Sequence, residues 1–359
     1  MKLLAHNDGR ELRGNERQLL LLANELKTRG HDLLVSSRLE APLQAELGKC
    51  GVRTTPIRPR GDLDVLAAWA FRGLVRCEQP DAVLLTSWKR VLTASWAARR
   101  ANAKRVVVRL GIVRAWPARK RAAWRLRQAF ENFVDVLVVN SSDVAATWME
   151  TAPWFPRERL RVILNAVAPA AGTAGRIRSE LQLDTSVRLV ASVGTLEQRK
   201  GVDLLLRALT RLPDVHAVFA GNGPDASSLR ALASVLGLDG RVYWLGQRSD
   251  VPDVLADSDA FVLPSRQDSI ANALLEAMSA GLPVVATEGN GVADAIAPRD
   301  GRAGAGWIVR PEDPAAIAAG LEQALGPDAR IQGDEARWRT QHWFSPARMA
   351  DEYEQVLFR

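Results

Sequence analysis

The chain carries short apolar runs separated by stretches in which apolar positions recur every three or four residues. The short runs predict buried strands and the intervening stretches predict helices, an alternation typical of parallel α/β sheets with helices on both faces. Strands are predicted at residues 3–6, 32–36, 82–86, 105–109, 136–139 and 162–164, and again at 188–193, 216–220, 242–245, 260–263, 283–286 and 307–309. We therefore predict an α/β protein with two Rossmann-like domains.

The length of the chain agrees with two domains. Its 359 residues exceed what one hydrophobic core usually supports, and we expect the domains at residues 1–167 and 177–342. Residues 168–176, APAAGTAGR, are small and flexible as in a linker, and they are the predicted hinge. Hydrophobic residues make up 47% of the chain and charged residues 25%, which excludes wholesale disorder and fibrous architectures.

Cysteine usage and hydropathy narrow the functional classes. Cys50 and Cys77 form no CxxC pair and lie near no histidine cluster, so neither a disulfide scaffold nor a metal site is expected. No run reaches the roughly 18 apolar residues of a membrane span, and the first residues lack the apolar stretch of a signal peptide. We therefore expect a cytoplasmic protein.

Charge is distributed unevenly along the chain. Residues 1–170 carry a net charge of +13, and residues 171–359 carry −6. Residues 82–130 contain 13 basic residues, no acidic residue and four tryptophans. Because basic surfaces with tryptophan are typical of proteins that lie on anionic lipid, we expect contact with an anionic membrane surface through residues 82–130. Nucleic acid also fits the pattern but is the less expected partner.

Helical spacing separates the tryptophans of this basic stretch. Trp88, Leu92 and Trp96 recur every four residues and are assigned to the core. Residues 118–134 are predicted to form a helix, and Trp124 lies off its apolar face among basic neighbours, which predicts an exposed indole unless another segment covers it. The apolar face of that helix is predicted to consist of Ala122, Leu126, Ala129, Phe130 and Phe133.

Open α/β sheets bind ligands in the loops after the carboxyl ends of their strands. Four loops that follow predicted strands are polar or rich in glycine, at residues 7–15, 194–201, 221–223 and 264–272. None contains a Walker phosphate loop or a GxGxxG motif, which disfavours ATPase and dehydrogenase classes. The four loops are therefore the places where we expect the chemistry.

Three charged residues in or after these loops are the candidate chemical groups. Lys200 precedes Gly201 and a helical run, which places an ammonium beside a helix N-terminus and favours a bound phosphate. Asp268 follows a strand end, and Glu276 lies eight residues later in an apolar helical run. The hydroxyls of a ribose or a sugar would satisfy both carboxylates. From spacing alone, it stays open whether Lys200 is simply a solvated lysine, Asp268 a turn or cap residue, and Glu276 an exposed residue of an amphipathic helix.

Four ordered motifs of the second half point to a known family: VGTLEQRKGVDLLLRAL, FAGNGPD, WLGQRSDVPDVLADSDAFVLPS and DSIANALLEAMSAGLPVVAT. In these motifs the chain resembles the retaining GT-B glycosyltransferases of family 4, the glycosyl transferases group 1. The first half is similar more weakly, through GNERQLLLLANELKTRGHDLLV, VLVVNSS and VILNAV. The resemblance implies two Rossmann-like domains whose parallel sheets face an interdomain cleft. The first would bind the acceptor, the second the nucleotide-sugar donor, and a C-terminal helix at 344–359 would cross back onto the first.

The resemblance also implies roles for the residues that match the motifs. Lys200 would bind the donor diphosphate, Glu276 the ribose, and Asp268 would face the transferred sugar. Gly14 would allow the first-domain loop to approach the donor closely. The base would be held by residues 246–251, which include Arg248. The sugar and phosphates would be lined by Ser269, Ile270, Ala271, Asn272 and the amide of Leu275.

Two departures from the family pattern fall on the donor side. Thr195 stands where the family often has an arginine, so Lys200 and Arg199 together must neutralise more of the phosphate charge. Asp268 replaces the first glutamate of the family's acidic pair. The donor site is therefore expected to be a variant of the family's usual site.

Two further departures fall on the acceptor side. Arg13 and Gly14 stand where the family usually has two glycines, which would put Arg13 near the acceptor. The histidine that the family often has near the reacting sugar has no clear counterpart, and Arg109 or Arg114 would occupy that region.

The sequence and the resemblance together predict a metal-independent hexosyltransferase. It would transfer the sugar with retention from a nucleoside diphosphate sugar, UDP-sugars being favoured, to a lipid-linked or cell-envelope glycan acceptor, as in polysaccharide biosynthesis. No cofactor beyond the donor is expected, and the protein would act in the cytoplasm at the inner face of the membrane. Two alternatives stay open: a sugar nucleotide epimerase of the same fold, and a non-catalytic protein that binds nucleotide sugars or nucleic acid.

Overall fold

The computed structural model of the chain describes residues 1–57, 61, 63–111, 120–268, 270–289 and 291–359. These residues divide into two compact units. The first unit comprises Met1–Ala166 and Pro346–Arg359, and the second comprises Val167–Ser345. The final segment therefore folds with the beginning of the chain.

The described part of the first unit contains one sheet of seven parallel strands, in the order β3-β2-β1-β4-β5-β6-β7. Its strands are β1 (Lys2–Asn7), β2 (Asp32–Arg38), β3 (Arg53–Ile57), β4 (Ala82–Leu85), β5 (Val106–Leu110), β6 (Val136–Val139) and β7 (Leu160–Val162). Its helices are α1 (Gly14–Thr28), α2 (Pro42–Lys49), α3 (Val65–Glu78), α4 (Val91–Arg100), α5 (Lys120–Asn132), α6 (Ser142–Thr151) and the last helix of the chain, α15 (Pro346–Phe358).

The second unit has the same architecture, with six parallel strands among its described residues in the order β10-β9-β8-β11-β12-β13. Its strands are β8 (Arg188–Val193), β9 (Val215–Ala220), β10 (Val242–Gly246), β11 (Ala260–Leu263), β12 (Val284–Thr287) and β13 (Gly306–Val309). Its helices are α7 (Arg176–Glu180), α8 (Val202–Leu209), α9 (Ala226–Val235), α10 (Val251–Ala256), α11 (Asn272–Ala280), α12 (Val292–Ile296), α13 (Pro314–Ala324) and α14 (Ala329–His342).

The predicted α/β fold class is confirmed, and the strand predictions fail in two places, both in the first unit. Strand β3 was not predicted, because its sequence RTTPI has little apolar character and contains Pro56. A proline is tolerated there because β3 is an edge strand of its sheet. The seventh strand lies at Leu160–Val162, two residues before the predicted 162–164. The remaining strands of both units overlap their predicted positions.

Helix ends in both units are fixed by short polar side chains. The Asp64 carboxylate accepts the Ala67 amide at 3.0 Å at the start of α3, and the Ser141 hydroxyl accepts the Val144 amide at 3.2 Å at the start of α6. Asp313 accepts two amides at the start of α13. Each cap satisfies amides that lack an acceptor inside the helix.

The first sheet is covered on both faces. Helices α3 to α6 cover one face, where Phe71, Phe130 and Trp148 are buried. Helices α1, α2 and α15 cover the other face, where Tyr353 of α15 is buried among aliphatic side chains of α1. Salt bridges from Arg29 on the α1 side to Asp351 and Glu354 add to this contact. The last helix is thus an integral part of the first unit.

Residues 168–176 belong to the second unit, which differs from the expected free linker. The Ala170 amide donates to the Ser279 hydroxyl at 2.9 Å, and the Thr173 amide donates to the Asp253 carboxylate at 2.8 Å. Asp257 accepts from the amide of Gly175. The carboxylates of Asp253 on α10 and of Asp257 just after it thus accept hydrogen bonds from these small, flexible residues. The composition of residues 168–176 alone does not indicate this.

The predicted exposure of Trp124 agrees with the structure, in which 62% of the residue is exposed. The predicted apolar face of α5 is wrong at its beginning, because Ala122 is exposed, whereas Ala129 and Phe130 are buried. The helix therefore packs mainly through its second half. The Trp88, Leu92 and Trp96 side chains are half-buried and pack against the core, as predicted.

We predict that Trp148→Ala destabilises the first unit by about 3–5 kcal/mol, because it removes a fully buried indole and leaves a cavity. Trp148 packs edge-on against Phe130 and Phe155, at ring distances of 4.8 and 5.7 Å. The measurement is urea unfolding followed by far-UV circular dichroism. Trp124→Ala is the matched control, and we expect it to change the free energy of unfolding by less than about 0.5 kcal/mol. Equal effects of the two substitutions would contradict the packing described above.

Candidate functional site

Two loops meet at the carboxyl edge of the second sheet. The first loop, residues 194–201, follows β8, and the second loop, residues 264–271, follows β11. Strands β8 and β11 pair directly, so the two loops leave the sheet side by side. Helices α8 and α11 begin where these loops end, and both present helix N-termini at this edge.

Two glycines allow the loops to pack closely. Gly201 has φ of 64° and separates the first loop from α8; a Cβ there would lie 1.9 Å from the Pro264 carbonyl oxygen. Gly221, after β9, has φ of 150°, and its Cβ would lie 1.8 Å from the Gly194 carbonyl oxygen. A side chain at Gly201 would force the two loops apart, and one at Gly221 would force the segment after β9 away from the first loop.

Arg266 joins the two loops and helix α8. Its backbone amide donates to the Arg199 carbonyl at 2.8 Å. Its guanidinium donates to both carboxylate oxygens of Asp203 at 2.6 and 2.8 Å, and to the Gln198 carbonyl at 3.0 Å. The hydrogen bonds from Arg266 hold the pKa of Asp203 below its usual value. This bidentate pair fixes the position of the first loop against the second.

The structure brings Lys200 and Asp268 together, as an ion pair between the Lys200 ammonium and the Asp268 carboxylate. Both side chains are largely buried, with 16% and 9% exposed. The Arg199 guanidinium lies 3.7 Å from the other Asp268 oxygen, and it also forms a salt bridge of 2.5 Å with Glu197. Asp268 is therefore flanked by two cations. Lys200 is also the only lysine after residue 120 in the sequence.

Glu276 and its neighbours lie on or beside α11. Glu276 is half-buried in the second turn of the helix, with buried residues on both sides of it in the sequence. Ile270 and Ala271 are buried just before the helix, and Asn272 is its first residue. The Leu275 amide, predicted to line the sugar, donates to the Ala271 carbonyl at 3.3 Å and so already has an acceptor inside the helix. Ser269 lies outside the described residues.

Two other residues that were predicted to contact the nucleotide-sugar donor have different surroundings. Thr195 is half-buried in the first loop, and its carbonyl accepts the Glu197 amide at 3.0 Å. Arg248, predicted for the base region, donates to Asp250 and Glu180 at 2.7–3.0 Å. The Arg248 hydrogen bonds lower the pKa of Asp250 to about 2, and they lower the pKa of Glu180 as well. Arg248 is thus held by two carboxylates.

In the first unit, the predicted residues lie at the carboxyl edge of the sheet. Arg13 precedes α1 and is mostly exposed, with its guanidinium 2.9 Å from Glu11. Gly14 is the exposed first residue of α1. Glu16, in the first turn, accepts the Arg13 amide at 3.2 Å and the Asn7 carboxamide at 3.0 Å. These bonds fix the loop before α1 to the end of β1.

Arg109 is buried in a polar network of this edge, with 5% of the residue exposed. Its guanidinium donates to the Asn15 carboxamide and, at 2.8 Å, to that of Asn165. Asn15 in turn donates to the Thr86 carbonyl at 2.7 Å. Arg109 therefore links β5 to the start of α1 and to the segment after β7. Its candidate alternative, Arg114, lies outside the described residues.

His6 is a buried titratable group at the end of β1 that the sequence analysis did not identify. Its Nδ1 lies 3.1 Å from the Ser36 hydroxyl. The pKa of His6 is lowered to about 4, mainly because the imidazole is buried; Asp8 opposes the shift and Arg90 contributes to it. The His6 imidazole is therefore neutral at physiological pH.

The sequence did not single out four residues that are important for the structure: Asn15, Asn165, Asp203 and Arg266. Asn15 closed a candidate loop, and Arg266 lay inside another, but neither has a motif of its own. Their partners are far away in sequence, as with Arg109 and Asn165, which are 56 residues apart. Only the fold brings them together.

The second-unit loops combine two kinds of chemical group. Lys200 and Arg199 supply positive charge, and helix N-termini at the same edge favour anions. Asp268 and Glu276 supply carboxylates that can accept hydroxyl donors. No cluster of three or more metal-ligating side chains occurs among the residues that the structure describes. Such a set suits a ligand that carries both phosphates and hydroxyls.

Two parallel α/β units in one chain are the architecture of the GT-B fold. The family model for glycosyl transferases group 1 matches residues 174–337, and the model for glycosyltransferase family 4 matches residues 12–171. Together the matches take in the body of both units. The chain belongs to the GT-B glycosyltransferases of the group 1 and family 4 type.

Curated relatives agree with this membership. The lipopolysaccharide core biosynthesis glycosyltransferase LpsE of Rhizobium meliloti is 27% identical over 77% of this chain and 76% of its own length. A D-inositol 3-phosphate glycosyltransferase of Mycolicibacterium gilvum is 34% identical over 56% of this chain. The match spans 47% of the length of that second relative.

Solved structures show the same fold. HepE of Anabaena, in complex with UDP, superposes with a TM-score of 0.86 over 99% of both chains at 19% identity. The lipopolysaccharide biosynthesis glycosyltransferase WaaG superposes with a TM-score of 0.72 over 99% of both chains at 17% identity. At these identities the likeness establishes the fold alone.

We predict that His6 makes the protein less stable as the pH falls from about 6.5 to 4. Across this range the unfolded chain protonates its histidine while the folded protein excludes the proton, so unfolding becomes more favourable as pH falls. The loss is of the order of 3 kcal/mol. The measurement is the free energy of unfolding against pH for the wild type and for His6→Gln, whose difference isolates this residue. Parallel pH curves for the two proteins would disprove the assignment.

Proposed function

We propose that the protein is a retaining glycosyltransferase that moves a hexosyl unit from a nucleoside diphosphate sugar to a lipid-linked or cell-envelope glycan. The observation that carries the proposal is the Lys200–Asp268 pair, held between two loops at the carboxyl edge of the second sheet. It puts a cation and a carboxylate of the family's motifs side by side.

Lys200 is proposed to bind the donor diphosphate. Its ammonium is paired with Asp268, and Arg199 lies close to the same carboxylate. A diphosphate carries more charge than a carboxylate and would compete for both cations. Thr195 brings no charge of its own, so Arg199 is the second cation available for the phosphates. The interaction strengthens as the leaving diphosphate gains charge, which is what raises the rate.

The two carboxylates are proposed to bind hydroxyl groups of the donor. Glu276, half-buried in an apolar helix, would accept the ribose hydroxyls. Asp268, released from Lys200 by the diphosphate, would accept from the transferred sugar. Ile270, Ala271 and Asn272 are proposed to line the site around the sugar and phosphates. Ser269 is proposed to line it with them.

UDP is the favoured nucleotide. HepE, which shares the fold, was solved with UDP and with UDP-glucose. Residues 246–251 would hold the base, and Arg248, fixed by Asp250 and Glu180, would keep that loop in place.

The proposed chemistry needs no metal. The bond from the anomeric carbon to the diphosphate oxygen breaks, and the acceptor oxygen bonds to the same face of the sugar. The acceptor proton passes to the departing phosphate oxygen. Lys200 and Arg199 stabilise the charge that a divalent cation would otherwise neutralise.

The acceptor is proposed to bind at the carboxyl edge of the first sheet. LpsE is named for lipopolysaccharide core biosynthesis, and this likeness favours a lipid-linked or cell-envelope glycan. Arg13 is exposed at that edge and can reach a ligand. Arg109 is proposed to be a positioning residue, because Asn15 and Asn165 already accept from its guanidinium. The protein would act in the cytoplasm at the inner face of the membrane. In the part of the chain that is described, no helix combines the length and apolarity needed to cross a bilayer.

The two alternative functions are less favoured. A sugar nucleotide epimerase would bind the donor without an acceptor, and a non-catalytic protein would bind it without turnover. Neither accounts for similarity to LpsE across both units.

We predict that a UDP-sugar raises the melting temperature of the wild type and that Lys200→Ala abolishes most of this rise, because the diphosphate loses its ammonium. The value of kcat/KM should fall about 10²–10³-fold. Differential scanning fluorimetry with UDP-, GDP-, ADP- and CDP-sugars, followed by initial rates, measures both effects. Lys49→Ala is the control: it removes the lysine of an exposed ion pair with Glu46 in the first unit and should leave both values unchanged. A donor-induced rise that survives Lys200→Ala would contradict the diphosphate role.

We also predict that the product keeps the anomeric configuration of the donor and that EDTA leaves the rate unchanged. Proton NMR of the product reads the configuration from the anomeric coupling constant. An inverted product would refute the retaining mechanism, and loss of activity in EDTA that Mg²⁺ restores would refute metal independence.

A further inference from the structure

Asn140 is a buried polar residue of the first unit whose side-chain oxygen receives no hydrogen bond from the described residues. It directly follows β6 and is 1% exposed. Its Oδ1 atom has no donor within the described part of the chain. A buried amide oxygen without a donor costs free energy, and most such atoms in proteins are paired. Because ligands of parallel α/β sheets bind at the carboxyl edge, an exception at this edge is a candidate binding group.

The register of the sheet places Asn140 on the same face as Arg109. Arg109 of β5 pairs with Val138 of β6, so Asn140 lies two positions further along β6, beyond the last paired residues. Side chains alternate between the two faces of a strand. Val136 and Val138 pack on the face that α1 and α15 cover. Asn140 continues this alternation, and its side chain therefore shares that face with the Arg109 guanidinium.

The Arg109 guanidinium is bound by two other asparagines at this edge. It donates to Asn15 on α1 and, at 2.8 Å, to Asn165 in the segment after β7. Strand β6 lies between β5 and β7, so the hydrogen bond from Arg109 to Asn165 spans β6. The three asparagines thus differ in role: Asn15 and Asn165 hold the arginine with their oxygens, whereas the Asn140 oxygen accepts from none of the described residues.

The Asn140 amide faces the loop that follows β5. Gly111 is the first residue after that strand, and a Cβ built on it would lie 3.7 Å from the Asn140 Nδ2 atom. Apart from the chain neighbours of Gly111, no other described atom would come within 4 Å of this Cβ. Among the described residues, the amide therefore borders open space on its Gly111 side.

The chemistry of the amide oxygen selects the kind of ligand. A carboxamide oxygen accepts hydrogen bonds and cannot donate them, so it does not suit a phosphate or a carboxylate. A sugar hydroxyl is a donor and does suit it. Burial strengthens such a bond, because the surroundings are less polar than water. A hydroxyl bound here would consequently be held in one orientation.

We propose that Asn140 binds a hydroxyl group of the acceptor glycan through its Oδ1 atom. This inference rests on the proposed transfer reaction, which places the acceptor at the carboxyl edge of the first sheet. It adds a residue that sets the affinity and orientation of the acceptor sugar. The donor site of the second unit does not depend on it.

The first test needs neither donor nor acceptor. Leucine has as many side-chain heavy atoms as asparagine, so Asn140→Leu removes the unpaired oxygen with little change of shape. We expect the urea midpoint of this variant to equal or exceed that of the wild type. Asn165→Leu is the matched contrast, because the buried Asn165 oxygen does accept from Arg109. It should lower the urea midpoint by about 0.5–1 M, since the guanidinium loses an acceptor.

The second test measures transfer. Initial rates are recorded with UDP-glucose, UDP-galactose and UDP-N-acetylglucosamine as donors and with the octyl glycosides of glucose, galactose and mannose as acceptors. Asn140→Leu should raise the KM for the octyl glycoside about tenfold and leave the donor-induced rise in melting temperature unchanged. Asn140→Asp keeps an oxygen at the same position and should restore that KM to within about threefold of the wild-type value.

The outcomes separate this inference from the proposed function. An unchanged KM in Asn140→Leu, while the wild type transfers the sugar, would overturn the inference alone. So would a KM that Asn140→Leu and Asn140→Asp raise equally. A urea midpoint that falls as far in Asn140→Leu as in Asn165→Leu would also overturn it, because the amide would then hold the fold. No transfer by the wild type to any of these glycosides would count against the proposed function, and the acceptor role of Asn140 would fall with it.

Discussion

The site of the second unit depends on the pairing of β8 with β11, because only this pairing places Lys200 beside Asp268, 68 residues later in the chain. Strand pairing alone does not fix the two polar loops that follow these strands. Arg266 fixes them by spanning both loops with backbone and guanidinium hydrogen bonds. The conformational entropy of the Lys200 side chain is thus already lost on folding, before a ligand binds.

The apolar pattern of the chain was enough to predict nearly all of the sheet. Buried parallel strands such as β11 and β12 are continuous apolar runs, and such runs are visible without any tertiary information. An edge strand such as β3 needs no such run, because solvent covers one side of it, and so it escaped prediction. Residues 168–176 were not predicted correctly for a related reason. Small, flexible residues can be recognised locally, but the carboxylates that fix them lie on or just after α10, about 80 residues away.

The candidate residues were predictable through motifs, whereas their interactions were not. Lys200, Asp268 and Glu276 stand in recognisable patterns, but the ion pair between the first two depends on strand order. Arg248 carries a positive charge in the sequence, and only the structure reveals that Asp250 and Glu180 already neutralise it. The interactions of Arg109 were likewise not predictable from the sequence, because its burial and its two asparagine partners depend on distant segments of the first unit.

The position of α15 has a consequence for biosynthesis. This helix supplies Tyr353 and other buried side chains to one face of the first sheet, yet a ribosome makes it only after the second unit. During synthesis the part of that face that α15 covers stays exposed while the whole second unit emerges. The second unit can fold first because all of its elements are contiguous. The first unit is therefore the later one to reach its native state, and it is the unit that needs protection from aggregation until α15 has been made.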